Sequence, residues 1–357
     1  MQRAMFLSDF DFALPDELIA QEPLARRDAS RLLVLPRGGG PLSHRGVRDL
    51  PELLREGDLL VFNDARVIPA RLHGHKRGSG GKVELLLVEP RPTRGGESGE
   101  RWYCLGQASK GLKPGLVIDL PGELEAEVTA QDPDGGIEVR ISKGGDALLE
   151  ALWSVGEIPL PPYIRGGHVP AASDPNAARY QTILARRPGA SAAPTAGLHF
   201  TPELFSALEA RGIRRATVTL FVGPGTFLPV RTEDVSQHRM HAERFEIPAE
   251  TVQAIRETRA RGGRVIAVGT TSLRALEAAA DGAGGVVPGN GSTDLFVTPG
   301  YSFRVIDGLM TNFHLPKSTL LMLVSALVGR ERLLEAYAEA VRERYRFFSY
   351  GDAMLLT

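Results

Sequence analysis

The chain has 357 residues, 43% of them hydrophobic, which is typical of a globular protein with about two domains. Its 42 basic and 43 acidic side chains give a formal net charge of -1, which excludes a globally basic, histone-like nucleic-acid binder. The single cysteine, Cys104, excludes intrachain disulfides and a multi-cysteine zinc site. The first residues turn acidic too early for a signal peptide, and no apolar run is long enough to span a bilayer, so we expect a cytoplasmic protein.

The first 63 residues predict the beginning of an α/β domain, because strand-like apolar runs alternate with helix-like segments. We expect helices at 15–21 and 50–55 and strands at 31–35 and 58–62. Polar residues crowd the segment before the first of these strands: Arg26, Arg27, Asp28, Ser30 and Arg31. Such a group fits either a phosphate site or a solvated, charged turn.

From Ala65 the pattern changes to short alternating segments separated by Gly and Pro, at 66–75, 82–88, 101–106, 116–120, 123–130 and 137–142. Six such segments predict a small antiparallel β-barrel. Its charge is uneven along the chain, since the last strands are acidic and the first are basic. The basic residues are Arg66, Arg71, Lys76, Arg77 and Lys82. They form either a phosphate-docking end of the barrel or an ordinary solvated surface.

A helix at 146–155 and the Pro-rich segment after it predict a return to the first domain. We therefore predict a discontinuous α/β domain of residues 1–64 and 156–357, with residues 65–155 as an inserted barrel domain. Further helices are expected at 176–184 and 202–211. Between them Thr195, Gly197 and His199 lie among small residues, which either admit a ligand close to the backbone or form a structural turn around a core histidine.

Two predicted strands, at 213–222 and 264–268, are each followed by glycine and hydroxyl residues. The residues are Gly225 and Thr226 after the first strand, and Thr270, Thr271, Ser272 and Arg274 after the second. Turns of this kind hold anions or nucleosides on backbone N–H groups, although neither turn has a P-loop or dinucleotide fingerprint. His238, His241 and Glu243 lie between the strands without the helical zinc-protease spacing, and we predict no metal site.

The segment 299–326 changes from a strand-like pattern at 299–305 to a helix-like pattern from Pro316 onward. Asn312 and His314 lie in the polar stretch between them. A strand that ends in a polar loop before a helix is a common ligand site in open α/β sheets. The alternative is that Asn312, Ser318 and Thr319 only cap the turn and the helix. An amphipathic helix at 330–346 and a last strand through Leu356 complete the chain.

Nine motifs occur in the order found in one enzyme family: SRLLVL, GDLLVFND, ARVIPARL, APTAGLHFT, VGPGTF, HRMHAE, VGTTSLRALE, TNFHLPKSTLLMLVSA and YRFFSYGDAM. In these motifs the chain resembles the bacterial S-adenosylmethionine:tRNA ribosyltransferase-isomerases of the queuosine pathway, nearly end to end. The resemblance implies a two-domain α/β protein with an inserted β-barrel. It also implies transfer and isomerisation of the ribosyl part of S-adenosylmethionine onto 7-aminomethyl-7-deazaguanine (preQ1) at the tRNA wobble position, giving epoxyqueuosine and releasing adenine and methionine.

This chemistry needs a base for the acidic C5′ hydrogens beside the sulfonium, and it needs no metal or cofactor besides S-adenosylmethionine. We predict His199, His314 and Asp352 as the proton-transfer groups. Predicted substrate contacts are Thr195, Gly197, Gly225, Thr226, Thr270, Thr271, Ser272, Arg274 and Asn312. The five basic barrel residues are predicted to dock the tRNA, and we expect a monomer with no membrane contact. Two alternatives remain open, a non-enzymatic tRNA-binding protein and a conventional phosphate- or nucleoside-binding transferase.

Overall fold

The computed structural model describes residues 5–93, 95, 97–132, 135–164, 169–174, 177–223, 230 and 232–357. The chain divides into two compact units. The first is Met1–Ala65, Thr182–Arg187 and Pro194–Thr357, and the second is Arg66–Gln181 and Pro188–Ala193. Residues 156–181 thus group with the second unit, whereas the predicted α/β domain included them.

The elements follow one another along the chain as short strands and mostly short helices. The strands are β1 (Arg31–Leu35), β2 (Ser43–Gly46), β3 (Leu59–Asn63), β4 (Ala65–Val67), β5 (Arg71–Lys76), β6 (Lys82–Arg91), β7 (Glu100–Ala108), β8 (Val117–Leu120), β9 (Leu124–Gln131), β10 (Ile137–Ile141), β11 (Arg187–Ala190), β12 (Arg214–Leu220), β13 (Glu243–Ile247), β14 (Val265–Val268), β15 (Gly289–Thr293), β16 (Gly308–Asn312) and β17 (Ala353–Leu356). The helices are α1 (Leu50–Leu53), α2 (Gly145–Val155), α3 (Pro202–Ala210), α4 (Ala249–Ala260), α5 (Thr270–Ala278), α6 (Thr319–Val328) and α7 (Arg330–Arg342).

The first unit is built on a mixed sheet in the order β15-β13-β12-β3-β14-β16-β17-β1-β2. Its four central strands, β12, β3, β14 and β16, are parallel neighbours, so their carboxyl ends meet at one edge. β17 runs antiparallel to β16 with Ala353 opposite Asn312, which brings the amino end of β17 to that same edge. Every residue of β3, β14, β16 and β17 is buried, as expected for strands covered on both faces.

The second unit contains a closed antiparallel barrel in the order β10-β7-β6-β5-β8-β9. Buried and less buried residues alternate along its strands, as in Arg71–Lys76 and Leu124–Gln131, because successive side chains point to opposite faces. The interior holds aliphatic side chains, Trp102 and Cys104, and burial raises the pKa of the Cys104 thiol. The predicted fold class, an α/β protein with a small antiparallel barrel, is confirmed.

Two predicted elements are wrong. The described residues of the expected helix at 176–184 form turns, and the expected strand at 299–305 forms no ladder. In the second case the carboxylate of Glu277, 4% exposed, accepts hydrogen bonds of 2.9–3.1 Å from three consecutive amides, those of Arg304, Val305 and Ile306. These amides are therefore taken by a side chain and not by a neighbouring strand, and the strand begins only at Gly308.

Other local predictions follow the physics of helix ends. Ser318 caps α6 by accepting a hydrogen bond from the amide of Leu321, and Thr201 caps α3 in the same way through Leu204. In the described part of the chain, no helix combines the length and apolarity needed to cross a membrane.

Candidate active site

Asn312 is the last residue of β16 and lies at the edge where the parallel strands end. Its side chain is 3% exposed, and its amide nitrogen Nδ2 donates to the carbonyl oxygen of Phe348 at 3.0 Å. The same nitrogen lies 3.1 Å from Nε2 of His199. Because the Phe348 carbonyl can only accept, the atom that faces it is the donor Nδ2, which fixes the amide orientation and turns Oδ1 away.

His199 ends a 3₁₀ helix, Thr195–His199, that packs against β16. Since Nδ2 of Asn312 can only donate, Nε2 of His199 accepts, and the other ring nitrogen carries the proton. That nitrogen is left for the hydrogen bond between the ring and the backbone of Arg27. Burial, opposed by this hydrogen bond and helped by the charges of Arg27 and Arg346, lowers the pKa of His199 to about 4. The ring is therefore neutral at pH 7, in one tautomer.

Three buried polar atoms around the 3₁₀ helix have no hydrogen-bond partner among the described residues: Oδ1 of Asn312, Oγ1 of Thr182 and Oγ1 of Thr271. Thr182 packs on Gly197 so closely that a Cβ there would lie 2.9 Å from its methyl carbon. A Cβ on Gly269 would lie 3.6 Å from both Ala196 and the Thr271 hydroxyl.

Buried polar atoms without partners are uncommon in folded proteins, because each one costs roughly 1–3 kcal/mol. Three of them border one five-residue segment, which makes this segment the candidate place for a ligand. Thr182 was not among the predicted site residues. Its contact with Gly197 arises only in the folded chain, and no sequence pattern around it indicates a site.

His314 belongs to the other face of β16. Its Nε2 lies 2.9 Å from Oγ1 of Thr311, the residue before Asn312 in the strand, and successive strand side chains point to opposite faces. The backbone N–H of His314 donates to the hydroxyl of Tyr337 at 3.0 Å. Burial lowers the pKa of His314 to about 3. The structure therefore does not bring the two predicted histidines together.

Asp352 holds the backbone of the segment that precedes β17. Its carboxylate accepts hydrogen bonds of 2.8 Å from the amides of Arg31 and Arg346, one at each oxygen. Burial raises the pKa of this carboxyl, although both hydrogen bonds oppose the change. Its observed contacts fix the 346–352 turn, whose Phe348 has a left-handed backbone (φ 73°) and bonds to Asn312.

Two polar side chains of the turn after β14, Ser272 and Arg274, are buried and already bonded within the protein. Oγ of Ser272 donates back to the carbonyl of Val268 at 2.8 Å, which is a structural contact within α5. The guanidinium of Arg274 forms a buried ion pair with Glu243 and also donates to the carbonyl of Leu295 at 3.2 Å. Glu243 in turn accepts from the amide of Gly223 at 3.0 Å. A substrate bound by Arg274, as predicted, would therefore compete with Glu243 for the guanidinium.

Three of the remaining predicted substrate contacts lie in described elements of the first unit. Thr195 and Gly197 lie in the 3₁₀ helix beside His199, and Thr270 begins α5 with a 7% exposed side chain. Gly225 and Thr226 lie outside the described residues.

A model of the family described as "Queuosine biosynthesis protein" matches residues 7–356, almost the whole chain. The chain belongs to this family. The membership predicted from the order of the nine motifs is confirmed.

Relatives within the family agree with the match. A protein from Anaeromyxobacter dehalogenans (strain 2CP-C), named S-adenosylmethionine:tRNA ribosyltransferase-isomerase, is 59% identical over 353 residues that cover 99% of each chain. A protein of the same name from Pelobacter propionicus is 53% identical over 99% of this chain and 100% of its own. The crystal structure of the S-adenosylmethionine tRNA ribosyltransferase from Thermotoga maritima is 39% identical, with a TM-score of 0.55, over 98% of this chain and 100% of that one. None of these relatives supports the non-enzymatic alternative.

Several of the five basic barrel residues have partners within the protein, so they are less available for binding phosphates than their spacing in the sequence indicates. Pairing of β5 with β8 brings Arg77 to the acidic strands, where it bonds Asp119 and Glu125, and both contacts raise its pKa. Nζ of Lys76, a 9% exposed residue, donates to the carbonyl of Gly111 at 3.1 Å. The barrel ion pair of Arg71 is with Glu84 at 3.3 Å. Arg66, stacked on Trp153, and Lys82 are exposed.

No group of three or more His, Cys, Asp or Glu side chains with metal-binding geometry occurs among the residues that the structure describes. His238 packs edge-on against Phe296, and Glu243 bonds Arg274. The trio of His238, His241 and Glu243 noted in the sequence therefore does not assemble.

The two buried histidines make stability depend on pH. Their pKa values are near 6.5 in the unfolded chain but about 4 for His199 and about 3 for His314 in the fold, so the unfolded chain binds more protons between those values. The contribution of these two neutral rings to the free energy of unfolding is therefore fully present above pH 6.5 and decreases as the pH falls. We expect the free energy of unfolding to drop by about 2–4 kcal/mol from pH 7 to pH 5 in urea titrations.

The variant His314→Leu isolates one of these contributions. It removes one of the two titrating groups, so it should lose about half of the pH dependence measured for the unchanged protein. An unfolding free energy that is the same at pH 7 and pH 5 would contradict the buried, neutral state of both rings.

Proposed function

We infer that this chain transfers and isomerises the ribosyl part of S-adenosylmethionine onto preQ1 in tRNA, yielding epoxyqueuosine tRNA, adenine and methionine. The observation that carries this inference is the end-to-end match, at more than half identity, to proteins named for the ribosyltransferase-isomerase reaction. The identity of the accepting base and of the products follows from the motif resemblance. The enzyme is a transferase with S-adenosylmethionine as co-substrate.

We propose that the nucleoside part of S-adenosylmethionine lies against the 3₁₀ helix Thr195–His199. The three atoms that lack partners there are one amide oxygen and two hydroxyls, which suits a ligand that presents both donors and acceptors. Ribose hydroxyls and the exocyclic amine of adenine have that character. The missing side chain at Gly197 makes room for Thr182 against the 3₁₀ helix, and the missing side chain at Gly269 lets a ligand approach the backbone beside Thr271.

We propose that His199 acts by holding Asn312 and not by moving a proton itself. Both of its ring nitrogens are engaged, one with Arg27 and one with Asn312, and its pKa of about 4 makes it a weak base. Asn312 held in this way offers Oδ1 to the substrate in a fixed direction. Preorganised groups of this kind lower the barrier because they need no reorientation during the reaction.

Two further features belong to this proposal. The chain acts as a monomer in the cytoplasm, where tRNA and S-adenosylmethionine are both available. Chemistry takes place in the first unit, whose described residues include the predicted proton-transfer groups and the atoms without partners.

The decisive experiment follows adenine and methionine by chromatography during incubation with S-adenosylmethionine and tRNA. We expect equal amounts of both products, and only with preQ1-bearing tRNA. The matched control is the same tRNA with guanine at the wobble position, which lacks the aminomethyl nucleophile. Equal turnover with the guanine-bearing tRNA, or adenine release without tRNA, would contradict the proposed reaction.

A further inference from the structure

Eight arginines lie in three neighbouring segments at and beside the β1–β2 edge of the first unit's sheet, a region that we call the arginine face. They are Arg26, Arg27, Arg31, Arg45, Arg48, Arg342, Arg344 and Arg346. The three segments that supply them, 26–31, 43–48 and 342–346, contain only two acidic residues, Asp28 and Glu343. The formal charge of these segments is thus 8 − 2 = +6, on a chain whose net charge is -1.

Backbone pairing brings the three segments together. β1 and β2 are antiparallel, with Arg31 opposite Gly46 and Leu32 opposite Arg45. The guanidinium of Arg31 then reaches the third segment, where it donates to the carbonyl of Glu343 at 2.7 Å and lies 3.7 Å from the ring centre of Tyr345. The Asp352 carboxylate joins the first and third segments through their amides.

Part of this positive charge is not cancelled by acids. Asp28 is shared between Arg26 at 3.0 Å and Arg48 at 4.0 Å. Arg31 and Arg346 donate to backbone carbonyls, which satisfy a guanidinium without neutralising it. Nη1 of Arg346 is buried without a hydrogen-bond partner among the described residues.

Acidic side chains do flank the face. Glu17 lies 3.8 Å from Arg344, and Glu339 pairs with Arg342 and with His44. Solvent-exposed ion pairs contribute little to stability, so a phosphate displaces them at small cost.

The arginine face borders the candidate active site. Nη1 of Arg27 donates to the carbonyl of Leu198 at 3.3 Å, one residue before His199. The charges of Arg27 and Arg346 also reach the His199 ring, where they disfavour its protonation. A polyanion lying on the face would therefore pass directly beside the site.

We propose that the arginine face binds the phosphodiester backbone of the tRNA on either side of the wobble nucleotide. Guanidinium groups bind phosphate oxygens through paired N–H donors, and a base held in the site brings its flanking phosphates to the rim of that site. This rests on the proposed function, since it assumes a tRNA substrate. It also places docking on the first unit, whereas the barrel residues predicted to dock tRNA are partly paired within the barrel.

The test removes charge at three exposed positions on the arginine face that make no contact with His199 or Asn312. The variant is Arg45→Gln with Arg48→Gln and Arg344→Gln, and the matched control is Arg211→Gln with Arg256→Gln and Arg261→Gln, three exposed arginines elsewhere on the same unit. Binding of preQ1-bearing tRNA is measured at several salt concentrations. We expect about ten- to a hundredfold weaker binding by the face variant, and a salt slope lower by about two units.

Binding of S-adenosylmethionine and the rate at saturating tRNA should stay near those of the unchanged protein, because the altered side chains hold phosphates and not the reacting groups. A face variant with the tRNA affinity and salt slope of the control would overturn the proposal. A larger loss from Lys76→Gln with Arg77→Gln and Lys82→Gln would overturn it in favour of the barrel. Failure of the unchanged protein to release adenine would instead contradict the proposed function.

Discussion

Replacing Asn312 by alanine is expected to lower the rate of adenine release at saturating substrates by about 100- to 1000-fold, the usual loss on removing a preorganised catalytic hydrogen-bonding group. The substitution removes the Oδ1 acceptor, which has no protein partner among the described residues. It also removes the Nδ2 donor that bonds His199 and the carbonyl of Phe348. The expected loss is in the rate and not only in the affinity, because a fixed acceptor acts on the bound substrate.

A loss of stability must be separated from this loss of rate. Deleting the buried amide leaves the Phe348 carbonyl without that donor, which typically costs about 1–3 kcal/mol. Ser325→Ala is the matched control, since Ser325 is 1% exposed and its hydroxyl donates within α6, to the carbonyl of Leu321 at 2.8 Å. It should destabilise the fold by a similar or smaller amount and keep its activity. A folded Asn312→Ala protein with nearly unchanged turnover would contradict the placement of the site.

The second large effect is expected at His199, where two substitutions distinguish holding Asn312 from transferring a proton. In His199→Gln the side-chain oxygen can accept the hydrogen bond from Asn312, whereas His199→Leu has no polar atom. We expect the glutamine variant to keep roughly a tenth of the rate or more and the leucine variant to lose about 100-fold.

Equal loss of activity in the glutamine and leucine variants would indicate proton transfer by His199. Proton transfer by the imidazole is worth roughly 100- to 10,000-fold, and an amide cannot replace it. If both variants of His199 lose activity equally, the ring is the base or acid of the reaction. Thermal unfolding of both proteins is the control, because burial of leucine in place of histidine leaves the Asn312 amide without an acceptor on that side.

Much of the fold was predictable because it follows local rules. Six alternating segments separated by turn residues gave the barrel, and the caps at Thr201 and Ser318 gave two helix starts. The prediction at 299–305 failed because alternation of Tyr301, Phe303 and Val305 says nothing about the distant Glu277 carboxylate that binds the backbone there.

The residues of the candidate site could be chosen from the sequence, but their contacts could not. Asn312, His199 and Thr271 carry polar groups after glycine-rich or strand-ending segments, which the sequence displays. Which ring nitrogen of His199 is occupied, and that Arg274 pairs with Glu243 across 31 positions of sequence, are tertiary facts. The uneven charge along the barrel sequence suggested a free basic end, but antiparallel pairing of β5 with β8 places Arg77 against Asp119.

The central claim is that the ribosyl group, and not the methyl group, leaves S-adenosylmethionine for the tRNA. The most direct measurement uses S-adenosylmethionine labelled with one isotope in the ribose and another in the methyl group, followed by digestion of the recovered preQ1-bearing tRNA to nucleosides. The account predicts that the ribose label enters the tRNA at one equivalent per adenine released, while the methyl label stays in free methionine. Methyl label in the tRNA with the ribose label left on S-adenosylhomocysteine would show an ordinary methyl transfer and contradict it.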